Sequence, residues 1–179
     1  MQIKEKNIEE IEHKLAEMNT ELNKIAYLEV ALKADFTFQI KRYIWGRLAG
    51  LYEEKKMLDK AAKAMSNKAG IEVAFKDKVE SYLKAAEIYA KMGKIDDADL
   101  MFLRASRQDG GEKVKLAMKN IYKINAENLE KQGKKRNAML FYERLLKMNL
   151  EDMEEREVRE KLKEIYKSLG MFREANLLK

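Results

Sequence analysis

The sequence predicts an all-α fold built as a stack of helical hairpins, on three observations. The 179 residues contain no proline and only eight glycines, which leaves little material for tight turns or kinked strands. Apolar residues recur at helical spacing along the whole chain, with no sustained two-residue alternation. A large side chain and an alanine stand nine residues apart four times over: Tyr52 and Ala61, Tyr89 and Ala98, Leu129 and Ala138, Tyr166 and Ala175. The length suits one domain. Apolar residues at 46% and charged residues at 38% place the chain among charged globular proteins rather than disordered ones.

Taken in order, the periodic segments predict helices at about 3–18, 20–34, 37–55, 58–69, 72–92, 95–108, 112–132, 135–148, 151–169 and 171–178. Residues 1–35 read as an N-terminal helical hairpin that caps the stack. Ile8, Ile11, Leu15, Met18, Leu22 and Ile25 also follow a heptad seam there. Residues 36–179 divide into units at about 36–70, 71–109, 112–149 and 151–179, punctuated by Gly70, Gly93, Asp109-Gly110-Gly111, Gly133 and Gly170. The first unit reads Trp45-x2-Leu48-Ala49-x2-Tyr52 and then Ala61-x3-Met65. The second reads Tyr82-x2-Ala85-Ala86-x2-Tyr89, then Gly93, then Ala98-x3-Phe102. The third reads Tyr122-x2-Asn125-Ala126-x2-Leu129, then Gly133, then Ala138-x3-Tyr142. The fourth keeps Leu162, Tyr166, Gly170 and Ala175. Each alanine lets two antiparallel helices approach closely, and the large residue nine positions earlier fills the space opposite. One such hairpin cannot bury its apolar face alone, so neighbours must stack.

This pattern resembles the tetratricopeptide repeat, whose unit carries W-x2-L-G-x2-Y followed by A-x3-F. The match covers residues 37–179. It departs from the family in a period longer than 34 residues, in Lys56 at the place of the turn glycine, and in the lack of a closing proline. Arg159 and Lys163 also replace a bulky and a small residue in the last copy. The longer period is similar to that of related families such as SNAP-type vesicle adaptors and peptide-sensing bacterial regulators. The resemblance implies a right-handed α-α superhelix and a scaffold that holds a protein or peptide partner in a concave groove. The groove would be lined by the first helices of the hairpins, through Arg47, Gly50 and Glu54, Lys84, Glu87 and Lys91, Lys123, Glu127 and Lys131, and Lys161, Glu164 and Ser168. Some proteins of this type clamp a C-terminal carboxylate with Lys, Asn and Arg. Gly50, Glu87, Glu127 and Glu164 stand where asparagine would help, so that clamp is not expected. Alternating lysine and glutamate suit a charged amphipathic helix or an extended peptide.

The inventory for catalysis is thin. Absent cysteine removes disulfides, thiolate metal sites and a cysteine nucleophile. His13 is the only histidine and reads as a surface residue. Ser66, Ser81, Ser106 and Ser168 lack a G-x-S-x-G context, and no phosphate-binding glycine motif is present. Asp96, Asp97 and Asp99 lack the loop of a calcium site and suit the first turn of a helix. No enzyme activity and no cofactor are expected. Trp45, Tyr52, Tyr82, Tyr89, Tyr122, Tyr142 and Tyr166 read as packing residues, whereas Tyr27, Tyr43 and Phe38 are freer either to meet a partner or to pack under the N-terminal cap.

Of the net charge of +6, +5 falls in residues 112–179. Residues 113–147 carry ten Lys and Arg against Glu127, Glu130 and Glu143, and the turn holds Lys131, Lys134, Lys135 and Arg136. Such a turn can hold phosphates of a nucleic acid or an anionic surface. The interleaving of Lys and Glu on the adjoining helices favours a solvated face or an acidic protein partner instead. A structural, self-assembling role is the other alternative, through the C-terminal helix that carries Leu177 and Leu178 or through the N-terminal heptad seam. No apolar run reaches the length of a membrane span, and MQIKEKNIEE lacks the apolar core of a signal peptide. The expectation is a cytoplasmic protein.

Overall fold

A computed structural model describes residues 3–108 and 111–178. The described residues form ten α-helices and no strand: α1 (Ile8–Ala16), α2 (Glu21–Ala31), α3 (Phe38–Glu54), α4 (Leu58–Ile71), α5 (Phe75–Lys91), α6 (Ile95–Ser106), α7 (Gly111–Lys131), α8 (Lys135–Leu146), α9 (Asp152–Ser168) and α10 (Phe172–Leu177). The fold is all-α and helical-repeat-like. The predicted turn at Asp109 and Gly110 lies outside the described residues.

One turn is used four times. The backbone N–H of Met57, Lys94, Lys134 and Met171 donates to the carbonyl of Tyr52, Tyr89, Leu129 and Tyr166 at 2.8, 3.0, 2.9 and 2.8 Å. The N–H one residue earlier, on Lys56, Gly93, Gly133 and Gly170, donates back to Glu53, Ala90, Glu130 and Lys167 at 2.9, 2.9, 2.9 and 3.1 Å. These two bonds make a Schellman C-cap, which needs a left-handed residue just past the helix. Gly93, Gly133 and Gly170 supply it at φ of 75°, 73° and 77°, and Lys56 adopts it at 57° without being glycine. Four residues after each turn, the N–H of Ala61, Ala98, Ala138 and Ala175 donates to the carbonyl of Met57, Lys94, Lys134 and Met171. The nine-residue spacing is therefore the helix end, the turn and the first turn of the next helix, added together. All four alanines are buried where the paired helices meet.

Each helix from α3 to α6 packs on its chain neighbour, as do α7 to α10. α2 packs on α3, and both α5 and α6 touch α7. The buried side chains join into one core that runs from Ile11 to Ala175. Leu48, Ala49 and Tyr52, Ala86 and Tyr89, Phe102, Tyr122 and Ala126, and Tyr142 and Tyr166 are buried in it, while Trp45 and Tyr82 are half-buried against it. Across the middle of the stack the Phe102, Tyr122 and Phe141 rings meet edge to face, with centroids 5.4 Å apart in both pairs.

The structure refines three of these expectations. The heptad seam is interrupted between the two predicted N-terminal helices: α1 stops at Ala16, and the Thr20 side chain caps a new helix by accepting from the Asn23 N–H. Ile11, Leu15 and Ile25 turn into the chain's own core and Leu22 is left exposed. The helix placed at 72–92 begins only at Phe75. Glu72, Val73 and Ala74 connect α4 to α5, because the Glu72 carboxylate is drawn inward between Arg42 (3.4 Å) and Lys68 (2.6 Å). Tyr27 does not face a partner; it is buried beside Leu28 and Ala31 on α2. Tyr43 is half-buried, and Phe38 is exposed at the start of α3.

Candidate functional site: the wall of first helices

The first helices α3, α5 and α7 bury alanine and tyrosine, and α9 buries Val158, Leu162, Ile165 and Tyr166, with charged side chains on the opposite face of each. Charged side chains tie these helices to one another. Lys84 on α5 reaches back to Glu53 on α3 at 3.3 Å, and Lys113 on α7 reaches Glu80 on α5 at 3.8 Å. Lys119 and Glu130 on α7 pair with Glu154 and Lys161 on α9, at 2.9 and 3.2 Å. These pairs link the four helices in the order α3, α5, α7, α9. The pairs are partly exposed, so each adds little to stability. Their effect is on register.

The predicted groove residues fall into two groups. Arg47 pairs with Glu12 of α1 at 3.0 Å. Lys84, Glu87 and Lys91 form a chain of charges along α5, with Glu87 to Lys91 at 2.6 Å and Glu87 to Lys84 at 3.5 Å. The two lysines beside Glu87 hold its carboxyl below the usual range, against the opposing effect of burial. Lys161 is taken by Glu130. The second group is Glu54, Lys123, Glu127, Lys131 and Glu164, which make no ion pair within 4 Å among the described residues. The Ser168 hydroxyl donates to the Ile165 carbonyl at 2.8 Å. At Gly50 the surface is open, with no atom within 4 Å of where a Cβ would stand.

Sequence reasoning missed Glu53, Glu80, Lys113, Lys119, Glu130 and Glu154, the residues that cross between first helices. A signal was present. Glu53 and Lys84 are 31 residues apart, and so are Glu130 and Lys161, as are Glu29 on α2 and Lys60 on α4. Opposite charges at one fixed separation in a repeat sequence mark neighbours in consecutive units.

A second set of bonds joins hairpins at their outer side. The hydroxyls of Tyr52, Tyr122 and Tyr166 donate to Glu29, Asp99 and Glu143, each 23 residues earlier. Burial and the carboxylate beside it push the Tyr166 hydroxyl up to about 12. Asp99 and Asp96 also hold Arg144 of α8, at 2.8 and 2.9 Å. The acidic cluster at the start of α6 therefore clasps the next hairpin, a role beyond the helix-dipole effect expected of it.

Elsewhere, His13 lies exposed on α1 with Nδ1 3.3 Å from Glu17. Phe172 and Leu177 are exposed on α10. Lys131, Lys134, Lys135 and Arg136 are all exposed around the α7–α8 turn. A cleft of about 450 Å³ is lined by Leu116, Met118 and Met148 together with Lys115, Lys119 and Lys147. It lies at the opposite end of the third hairpin and includes none of the predicted groove residues. No helix among the described residues is long and apolar enough to cross a membrane.

No family model and no curated protein matches the chain. Among solved structures it is similar to the crystal structure of BtubC (BKLC) from P. vanneervenii, at 17% identity. The similarity covers 96% of this chain and 76% of that one, with a TM-score of 0.44.

Proposed function

We propose that the chain is a non-catalytic, cytoplasmic scaffold of the tetratricopeptide type, a right-handed superhelix that holds a protein or peptide partner on the wall of α3, α5, α7 and α9. The observation that supports this reading is the run of ion pairs from Glu53 to Lys161. It links the four helices in order, and Glu54, Lys123, Glu127 and Glu164, which make no ion pair within 4 Å among the described residues, stand on those same helices. Exposed, partly compensated charges can be exchanged for those of a partner at small cost, because neither member is deeply desolvated. A charged amphipathic helix or an extended peptide has the matching chemistry.

The test is affinity capture from native extract with the wild-type chain and with Glu87→Lys/Glu127→Lys. A partner that the wild type retains, that crosslinks to α5 or α7, and that the double variant loses supports the wall. A partner retained equally by both, or crosslinked only to the second helices, overturns it.

A further inference from the structure

The α7–α8 turn shares its backbone with the other three turns but carries the densest positive charge; the α9–α10 turn has a single cation, Arg173, at the matching place. Two residues before the buried alanine, α4 and α6 carry carboxylates, and both are neutralised: Asp59 by Lys94 at 2.6 Å and Asp96 by Arg144 at 2.9 Å. The same position of α8 is Arg136, preceded by Lys134 and Lys135, with Lys131 at the end of α7. None of the four has a carboxylate within 4 Å among the described residues. Cations in the first turn of a helix are opposed by its dipole, whereas carboxylates are favoured. Three in succession also repel one another. Such a cluster disfavours the helix start, and no ion pair within 4 Å among the described residues offsets it. The residues Lys134, Lys135 and Arg136 line a shallow hollow of about 320 Å³ together with Gly133, Asn137 and Leu169 from the end of α9.

We propose that this turn is a docking point for an acidic segment of a partner protein. Two or three Asp or Glu side chains would bond to Lys134, Lys135 and Arg136, with the hollow receiving the segment between them. A nucleic acid matches less well. Its affinity grows with the number of phosphates neutralised along a track, and these cations occupy one turn only, with exposed or half-exposed carboxylates at Glu127 on α7 and Glu164 on α9. The contact is separate from the wall of first helices and stands whether or not that wall binds anything.

The experiment is fluorescence anisotropy with a labelled octaglutamate peptide, compared with an oligothymidylate of equal charge and with phosphatidylserine vesicles. The variant is Lys134→Ala/Lys135→Ala/Arg136→Ala. The control, Lys33→Ala/Lys63→Ala/Lys76→Ala, removes equal charge from exposed sites elsewhere. The peptide is expected to bind with a Kd of roughly 10–100 µM at low salt and to bind the turn variant about tenfold more weakly, with the control unchanged. The turn variant is expected to melt at or above the wild-type temperature, since it relieves repulsion. The proposal is overturned if both triple variants lose affinity equally, if neither does, or if the peptide does not bind. Tighter binding of the oligonucleotide or the vesicles than of the peptide also overturns it, as does a turn variant that melts below the wild type.

Discussion

The turns of the first and third hairpins have nearly the same backbone and almost opposite side chains. Between α3 and α4 the chain reads Lys56-Met57-Leu58-Asp59, and between α7 and α8 it reads Gly133-Lys134-Lys135-Arg136. Both close with the same pair of hydrogen bonds and both start the next helix with φ near −84° and ψ near 57°. The turn is thus set by the two helices it joins and by the buried alanine beyond it, not by the residues in it. Those residues are free to carry strain in one case and unbalanced charge in the other.

The largest test of that conclusion lies at the alanines. Ala61 and Ala138 are both completely buried, at the same step of the same motif. Leucine at either place forces the paired helices apart, at about 2–3 kcal/mol. Urea unfolding of Ala61→Leu and Ala138→Leu is expected to show equal losses. A loss confined to one hairpin would mean that the two turns are held by different contacts.

The next test reverses sign between the hairpins. Lys56 holds a left-handed conformation that costs a non-glycine residue about 1 kcal/mol. Lys56→Gly is expected to stabilise the chain by rather less, because glycine also loosens the unfolded state. Gly133→Ala meets no atom within 4 Å but inherits φ of 73°, and is expected to lose about 1 kcal/mol. Both are read from thermal melts. Two shifts of the same sign would contradict a common left-handed cap.

Why the turns were legible in the sequence follows from the same geometry. Every link from Tyr52 to Ala61 is local, so fixed spacing survives even where Lys56 replaces glycine. The N-terminal 3- and 4-residue steps persist across the break at Thr20, so the spacing alone left a continuous seam open beside the hairpin, whereas Asn7 and Thr20 carry the capping side chains that mark two starts. Glu72 looked like the opening of a helix, since its burial depends on Arg42 and Lys68 from two other helices. The candidate wall was half legible. The stripe that picks out Lys84, Glu87 and Lys161 is a property of one helix, whereas Glu53 and Glu130 become partners only through the offset between hairpins. The function of that wall is not written in any local spacing.

The outer junctions sharpen the comparison by pH. The Tyr52 hydroxyl donates to Glu29 at 2.5 Å and, with Lys60 at 3.1 Å, holds that carboxyl below its usual range. A depressed carboxylate contributes stability above its unfolded pKa and loses it as the pH falls through its folded value. Stability is therefore expected to fall as the pH drops below about 4.5. Tyr52→Phe is expected to fall less steeply over that range, after a loss of about 0.5–1 kcal/mol at neutral pH. Melting temperatures measured from pH 3 to pH 7 decide it; parallel curves for the two proteins would separate Glu29 from Tyr52.

The smallest effect is the exchange of first-turn charges. Asp59→Lys puts a cation at the start of α4 and breaks the pair with Lys94, while Arg136→Asp gives α8 the carboxylate that α4 and α6 possess. Exposed charges at a helix start are worth a few tenths of a kcal/mol, so the first is expected to lower the melting temperature slightly and the second to raise it. Both shifts are expected to shrink in high salt, because the pairs face solvent. If Arg136→Asp instead lowers stability at every salt concentration, the arginine is making a contact that holds the third turn together. The side chains of that turn would then be structural, as the backbone is, and the two hairpins would differ in how they are built rather than in what their turns are left free to do.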